Sequence, residues 1–284
     1  DEIPLFNDTY DKEFNFSIDN YPVTEKSAAK RLEEFVETSI SDYKELRDIP
    51  SLSSTSNLSS SFAIGLVTSK QAINQVFSSS DGTGTGQFAW VNEIIWREFY
   101  KYITYHYPHV SKGKSFNPKY DLISWREDED SFIKWCEGKT GIPIVDAAMR
   151  QLNQTKWMHN RLRMITAMFL SKNLLIDWRK GERYFMENLI DGDFCSNNGG
   201  WQWSASTGVD ASPYFRIFNP ITQSEKFDPD GKFIKNFVPE LIECPSNEIH
   251  NPSIETRSSL KYPEMIVDLK SSRLRAIDAF KSIK

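Results

Sequence analysis

The stretch Asp191–Gly208, DGDFCSNNGGWQWSASTG, places two aspartates, two asparagines and two tryptophans in a glycine-rich segment. Glycine accepts positive φ angles and asparagine tolerates them, so the run Asn197–Gly200 predicts a binding loop and not an ordinary helix. Trp201 and Trp203 offer flat π surfaces beside hydrogen-bonding side chains, which suits a planar heterocycle such as a flavin or a base. The alternative is a turn that carries two core tryptophans.

The composition indicates a globular protein of 284 residues, with 39% hydrophobic and 13% aromatic residues, enough for a sizeable core. No apolar run approaches the roughly 20 residues of a membrane helix, and the acidic start differs from a signal or transit peptide. Cys136, Cys195 and Cys244 are far apart, which predicts a reducing compartment and neither disulfides nor a zinc site. We therefore expect no membrane and no metal.

The net charge of -5 is unevenly distributed along the chain. Residues 1–60 hold 13 acids and 6 bases, a net of -7, so the remainder is +2. Residues 150–190 hold eight bases and three acids. This local excess could hold the phosphates of a nucleic acid, and the alternative is a solvated helix face.

Helical periodicity dominates the chain, which predicts an all-α fold. We expect residues 1–20 to be a linker from a missing N-terminal domain. The serine-rich run at residues 51–61 predicts a loop, either a phosphate-holding loop or a polar connector. Beyond the first helix, which follows Thr24, the predicted helices are Gln71–Phe77, Phe88–Tyr105, Asp130–Glu137, Pro143–Asn153, Trp157–Leu175, Arg183–Ile190 and Pro263–Ile283.

The helix WVNEIIWREFY carries a polar aromatic stripe. Trp90, Glu93, Arg97 and Tyr100 follow i, i+3, i+7, i+10, while Val91, Ile94, Ile95 and Phe99 mark a more apolar side. Buried Glu and Arg must be paired, so the stripe favours the wall of a polar cavity over plain core.

The helix WMHNRLRMITAMF repeats this pattern of aromatic and polar residues. Its Arg163 could pair with Asp191 or Asp193. The sequence has no Ser-His-Asp arrangement, Walker loop, GxGxxG or metal cluster, so an enzyme of this kind needs a cofactor for its chemistry.

These residues, together with GKTGIPIVDAAMRQL, LLIDWRKGERYF and PYFRIFNP, resemble the flavin-binding helical domain of the photolyase and cryptochrome family. The resemblance runs from Tyr21 to Leu241 and is strongest to class I cyclobutane pyrimidine dimer photolyases. Those enzymes use reduced FAD and blue light to split dimers in DNA. The family's N-terminal α/β domain, which binds an antenna chromophore, is absent from this chain.

The resemblance implies a set of FAD-binding residues. The FAD phosphates and ribityl chain would be held by Tyr43, Thr55, Ser56, Asn57, Leu58 and Ser59. The flavin pocket would be lined by Trp90, Arg97, Asn160, Arg163, Asp191, Gly192 and Asp193, with Asn197 facing flavin N5.

The resemblance also implies residues that bind the substrate and residues that transfer electrons. The catalytic residues would be Glu93, Asn160, Met164 and Trp203, and Glu93 would form a hydrogen bond with the pyrimidine edge. The DNA-binding set would be Arg47, Glu93, Trp96, Arg97, Tyr100, Asn160, Arg161 and Gln223. Three tryptophans, Trp201, Trp178 and Trp125, would carry electrons from the protein surface to the photoexcited flavin.

The resemblance thus predicts a monomeric, helical FAD- and DNA-binding catalytic domain over residues 21–284 that acts on UV-damaged DNA. The protein would be cytoplasmic in a bacterium, and nuclear or mitochondrial in a eukaryote. Two alternatives remain: a cryptochrome-like photoreceptor that signals through flavin photoreduction, and a fragment that binds FAD or DNA without repair.

Overall fold

The computed structural model describes residues 21–79 and 84–283, which form helices and no strands. The predicted linker at residues 1–20 lies outside the described residues. The α-helices are α1 Glu25–Thr38, α2 Tyr43–Leu46, α3 Ser59–Ala63, α4 Ser69–Ser79, α5 Thr85–His106, α6 Glu129–Glu137, α7 Pro143–Thr155, α8 Asn160–Met168, α9 Trp178–Asn188, α10 Phe194–Ala205, α11 Pro220–Phe227, α12 Lys232–Phe237, α13 Ile254–Leu260 and α14 Leu269–Lys281. Short 3₁₀ turns are Ile40–Asp42, Pro108–Lys112, Pro118–Leu122 and Pro239–Leu241.

The all-α prediction is confirmed, and the differences are at helix boundaries. The segment predicted as one helix from Trp157 begins only at Asn160, because the His159 ring accepts a hydrogen bond from the Arg161 backbone N–H and caps α8. It then widens into a π-helix at Phe169–Asn173. The C-terminal helix starts at Leu269, where Asp268 caps it through the Ser271 N–H.

The predicted loop at Asn197–Gly200 is wrong, because these residues lie inside α10. None of them has a positive φ angle. Gly199 is required by close packing, since a Cβ there would lie 2.2 Å from the Tyr100 ring. A Cβ on Gly200 would meet nothing within 4 Å, because this residue lines a cavity. The glycines therefore serve packing and space, not backbone freedom.

Two hydrophobic clusters form the core. The smaller is built by α1 to α5 and includes Leu58 and Trp90, while the larger is built mainly by α6 to α10 and α12 and includes Trp178 and Trp201. Helix α5 contacts α10, which joins the two clusters. The predicted apolar side of α5 is only partly correct, because Ile94 is buried and Ile95 is 55% exposed. No helix in the described part of the chain is long and apolar enough to cross a membrane.

Candidate functional site

A cavity of about 530 Å³ lies between the two clusters, with walls from α2, α5, α8 and α10. A smaller cavity of about 150 Å³ continues it between α8, α9 and α10. The size of the larger cavity falls within the range of cofactor and small-molecule sites. Both cavities are lined by Asn160, Arg163, Met164, Asp191, Asp193, Ser196 and Gly200.

The polar stripe of α5 forms one wall, as predicted. Trp90, Glu93, Arg97 and Tyr100 all line the larger cavity. The charges are paired: Glu93 accepts a hydrogen bond from Arg47 Nη1, and Arg97 Nη1 lies 3.0 Å from Glu98 Oε1. The cost of placing these charges in a half-buried wall is thereby offset.

Arg163 forms the predicted ion pair with Asp191. Its Nη2 lies 3.0 Å and 2.7 Å from the two carboxylate oxygens of Asp191, whose side chain is only 2% exposed. Asp193 has a different role, since its Oδ1 accepts the Ser196 N–H at 2.9 Å and caps α10. The other Asp193 oxygen lies 3.4 Å from Arg97 Nη2. The two acids therefore present fixed carboxylates at the junction of the cavities.

The serine-rich loop is confirmed up to Leu58, and α3 begins at Ser59. Ser56 and Ser59 line the cavity, and Ser59 Oγ accepts the Trp157 indole N–H at 3.3 Å. Asn57 takes a left-handed φ of 51°, which turns the chain here. Thr55, Asn57 and Leu58 do not line the cavity, and Leu58 is fully buried in the smaller hydrophobic cluster.

Gly192 and Asn197 line the smaller cavity, and Tyr43 lines the larger one. Asn197 Nδ2 donates to the Glu182 carbonyl at 2.9 Å, which fixes the orientation of its amide. Burial raises the pKa of the Glu182 carboxyl, which accepts from Asn198 at 3.4 Å. Glu182 is a polar group near this site that the sequence patterns did not indicate.

The proposed substrate residues divide into two groups. Those that line the larger cavity are Arg47, Glu93, Trp96, Arg97, Tyr100, Asn160, Met164 and Trp203. Arg161 and Gln223 do not line it. Arg161 pairs with Asp48 at 2.7 Å and stacks 4.4 Å from the Phe227 ring on α11, the helix that also carries Gln223.

Asp210 also lines the cavity, and its position in a loop after α10 gave no sequence signal. Burial raises the pKa of Asp210 and that of Tyr100, and the Asp210 carboxylate raises the pKa of Tyr100 further. The tyrosine therefore stays a neutral hydroxyl donor in the cavity wall.

The three tryptophans predicted to transfer electrons, Trp125, Trp178 and Trp201, lie in or against the larger hydrophobic cluster. Trp201 lines the smaller cavity, and a Cβ on Gly181, one helical turn after Trp178, would lie 2.1 Å from the Trp201 ring. The residue after Trp125, Arg126, donates its backbone N–H to Leu175 O at 2.7 Å, just before α9. Trp201 thus lies at the cavity and against α9, and Trp125 is half-buried beside the segment that precedes α9.

The basic excess of residues 150–190 does not form a free cationic face. Five of its eight bases form ion pairs with acids, and Lys172 is fully buried, its Nζ donating to Ser206 Oγ at 2.8 Å. The pairs are Arg150–Glu240, Arg161–Asp48, Arg163–Asp191, Arg179–Asp121 and Lys180–Glu129. Most of this charge therefore stabilises the fold.

A sequence model described as the FAD binding domain of DNA photolyase matches residues 90–282. The chain belongs to this family. FAD is the cofactor of this domain by its description. Within the described residues, no group of three His, Cys, Asp or Glu side chains could hold a metal ion.

Related family members are named deoxyribodipyrimidine photo-lyase. The Escherichia coli enzyme is 47% identical over 277 residues, covering 95% of this chain and 58% of that protein. The Neurospora crassa enzyme is 48% identical over 279 residues, covering 92% and 45%. The chain thus spans about half the length of these relatives.

Solved structures show the same fold. A bacterial class III photolyase from Agrobacterium tumefaciens matches with a TM-score of 0.86 and 42% identity, over 92% of this chain and 56% of that one. A cryptochrome from Synechocystis matches with a TM-score of 0.81 and 30% identity, over 90% and 56%.

Proposed function

We propose that this chain uses reduced FAD and blue light to split cyclobutane pyrimidine dimers in DNA. One observation carries the proposal: two adjoining cavities are lined by most of the residues proposed for flavin and most of those proposed for the dimer. The Arg163–Asp191 pair lies where the two cavities meet, and the Arg47–Glu93 pair lies in the wall of the larger one.

The residues present fit FAD. Carboxylates suit ribityl hydroxyls and ring N–H groups, arginine suits carbonyl oxygens and phosphates, and Trp90 supplies an aromatic wall. Ser56 in the loop and Ser59 at the start of α3 also line the larger cavity. When bound, FAD would supply the absorption of blue light and the electron that is donated to the dimer. Asn197, with its amide fixed by the Glu182 carbonyl, would face flavin N5.

The larger cavity suits a dimer turned out of the duplex. Trp96 and Trp203 would pack on its saturated rings, and Glu93 would accept a hydrogen bond from a pyrimidine N–H. Arg47 holds the Glu93 carboxylate in place, so the acceptor is oriented before the dimer enters. Asn160 and Met164 complete the wall between dimer and flavin. A damaged pair stacks weakly, which lowers the energy of extrusion.

Trp201, Trp178 and Trp125 would carry electrons between the surface and the cavity. Their ring N–H groups are buried without an acceptor among the described residues, so an oxidised ring has no nearby base to take its proton. The positive charge left by oxidation would therefore be able to move among the three tryptophans. Arg161 and Gln223 would contact the strand outside the cavity.

The proposal predicts that the protein loaded with reduced FAD reverses thymine dimers under blue light and not in the dark. We further propose that it acts as a monomer on UV-damaged DNA, in the cytoplasm of a bacterium or in the nucleus or mitochondrion of a eukaryote. Photoreduction of FAD with no repair would favour a cryptochrome-like photoreceptor instead.

A further inference from the structure

The charged residues that line the larger cavity are three arginines and four acids. Three of the acids each form an ion pair with one of the arginines, in the pairs Arg47–Glu93, Arg97–Asp193 and Arg163–Asp191. Asp210 is the fourth acid, and it has no ion pair within residues 21–79 and 84–283. The wall therefore holds one carboxyl group that the arginines of the cavity do not pair, and a hydrogen-bond donor of a ligand would satisfy it.

Asp210 reaches the cavity from the loop that follows α10. The backbone N–H groups of Ser206 and Ser212 both donate to the Trp203 carbonyl at 3.2 Å, so this loop is folded back onto the end of the helix. Burial raises the pKa of the Asp210 carboxyl, and the groups that oppose this rise are its own backbone N–H and the Tyr100 hydroxyl, which are both uncharged. The carboxyl is thus partly withdrawn from water, in the same cavity wall as Trp203.

Tyr100 lies near both Asp210 and Glu93. Burial raises the pKa of Tyr100, and the negative charges of these two acids raise it further. A tyrosine has a single O–H to donate, whereas the two oxygens of each carboxylate offer about four acceptor sites. Glu93 and Asp210 therefore both keep acceptor capacity that is free for a ligand in the cavity.

A thymine dimer offers two matching donors. Closure of the cyclobutane ring saturates C5 and C6 of each base but leaves the imide N3–H between the two carbonyl groups of that base. In the proposed function Glu93 accepts a hydrogen bond from one of these N–H groups. We propose that Asp210 accepts the N3–H of the other base, so that each base of the dimer is bound by its own carboxylate.

This inference rests on the proposed function, because it needs a dimer in the larger cavity. A base that lacks the N3–H would leave Asp210 without a donor and would bind less tightly. Asp210 would thus contribute to the specificity of the site for the imide edge of the dimer.

The test is a binding cycle in the dark that changes the acid and the base separately. The dissociation constant of the FAD-loaded protein is measured for oligothymidine that carries one dimer, and for the same dimer methylated at N3 of its 5′ or its 3′ base. Asp210→Asn should weaken binding of the unmethylated dimer on the order of tenfold. This loss should vanish on one of the two methylated dimers and persist on the other, and Glu93→Gln should show the opposite pattern.

Asp278→Asn is the matched control, because Asp278 is an exposed aspartate on α14 that lines neither cavity. It should leave all three dissociation constants unchanged. A second measurement uses the wild type alone and so does not depend on the folding of a variant. In its complex with a dimer whose imide nitrogens are isotope-labelled, magnetic resonance should show that both imide protons are protected from exchange with water.

Two results would overturn the inference while leaving the proposed function in place. One is a loss of affinity in Asp210→Asn that is equally large on both methylated dimers, and the other is a single protected imide proton in the wild-type complex. If the wild type binds dimer-carrying and undamaged oligothymidine equally, the proposed function fails and this inference fails with it.

Discussion

Glu93 on α5 and Arg47, the residue after α2, form an ion pair across the wall of the larger cavity, and both side chains are about two-thirds shielded from solvent. The pair joins a residue proposed to read the pyrimidine edge with one proposed to grip the strand. A carboxylate held in this way loses little freedom when a ligand binds.

Substitution of Glu93 by glutamine tests this assignment. Glu93→Gln should reduce the repair yield and weaken binding of dimer-containing DNA by about tenfold or more, because hydrogen bonds to charged groups contribute about 1.5–3 kcal/mol. Flavin absorbance should stay intact. Glu129→Gln removes an exposed ion pair with Lys180 and should change none of these quantities. An unchanged repair yield in Glu93→Gln would remove this residue from the mechanism.

The Arg163–Asp191 pair should hold FAD as well as the fold. Asp191→Asn leaves the arginine without its partner, which should cost about 3 kcal/mol of unfolding free energy and release most of the FAD. Glu240→Gln breaks another arginine–carboxylate pair, with Arg150, away from the cavity. It should lower stability in urea but retain FAD. Equal FAD retention in the two variants would contradict the assignment of Asp191.

The tryptophan path can be separated from a general role of buried indoles. Trp178→Phe should abolish photoreduction of FAD by external donors while the fold is kept. Trp135 is equally buried, and its ring centroid lies 6.0 Å from that of Trp201, but its N–H donates to Thr166 O and it is not one of the three matched positions. Trp135→Phe should therefore retain photoreduction. Retained photoreduction in Trp178→Phe, or its loss in Trp135→Phe, would refute the proposed path.

His159 should make stability depend on pH. Burial lowers the pKa of its imidazole to about 4, against about 6.5 in the unfolded chain. Between these values the unfolded state binds a proton that the folded state does not. The unfolding free energy should therefore fall by about 3 kcal/mol as the pH drops from 6.5 to 4. His159→Asn keeps a residue that can cap α8 and should flatten this slope, whereas the exposed His106→Asn should not. Urea unfolding at several pH values measures both.

Sequence periodicity predicted the all-α fold and the α5 wall because both depend on local residue spacing. The same reasoning failed for α10, where the glycines are needed by the Tyr100 ring and by the cavity, neither of which is local in sequence. It also left two interpretations open for the bases of residues 150–190, phosphate binding or a solvated helix face, and did not indicate their ion pairs. Their partners lie 28 to 113 residues away in the chain, as in the Arg163–Asp191 and Arg161–Asp48 pairs. The sequence patterns also did not indicate Asp210 and Glu182, because their contacts with Tyr100 and Asn198 are made only in the folded protein.

The central claim is light-driven repair by this chain, and a repair assay tests it most directly. Purified protein loaded with reduced FAD is mixed with oligothymidine that carries cyclobutane dimers, and the recovery of thymine absorbance is followed with and without blue light. The account predicts recovery only under illumination, and much less of it in Glu93→Gln. No recovery by folded protein with bound, photoreducible FAD would contradict it.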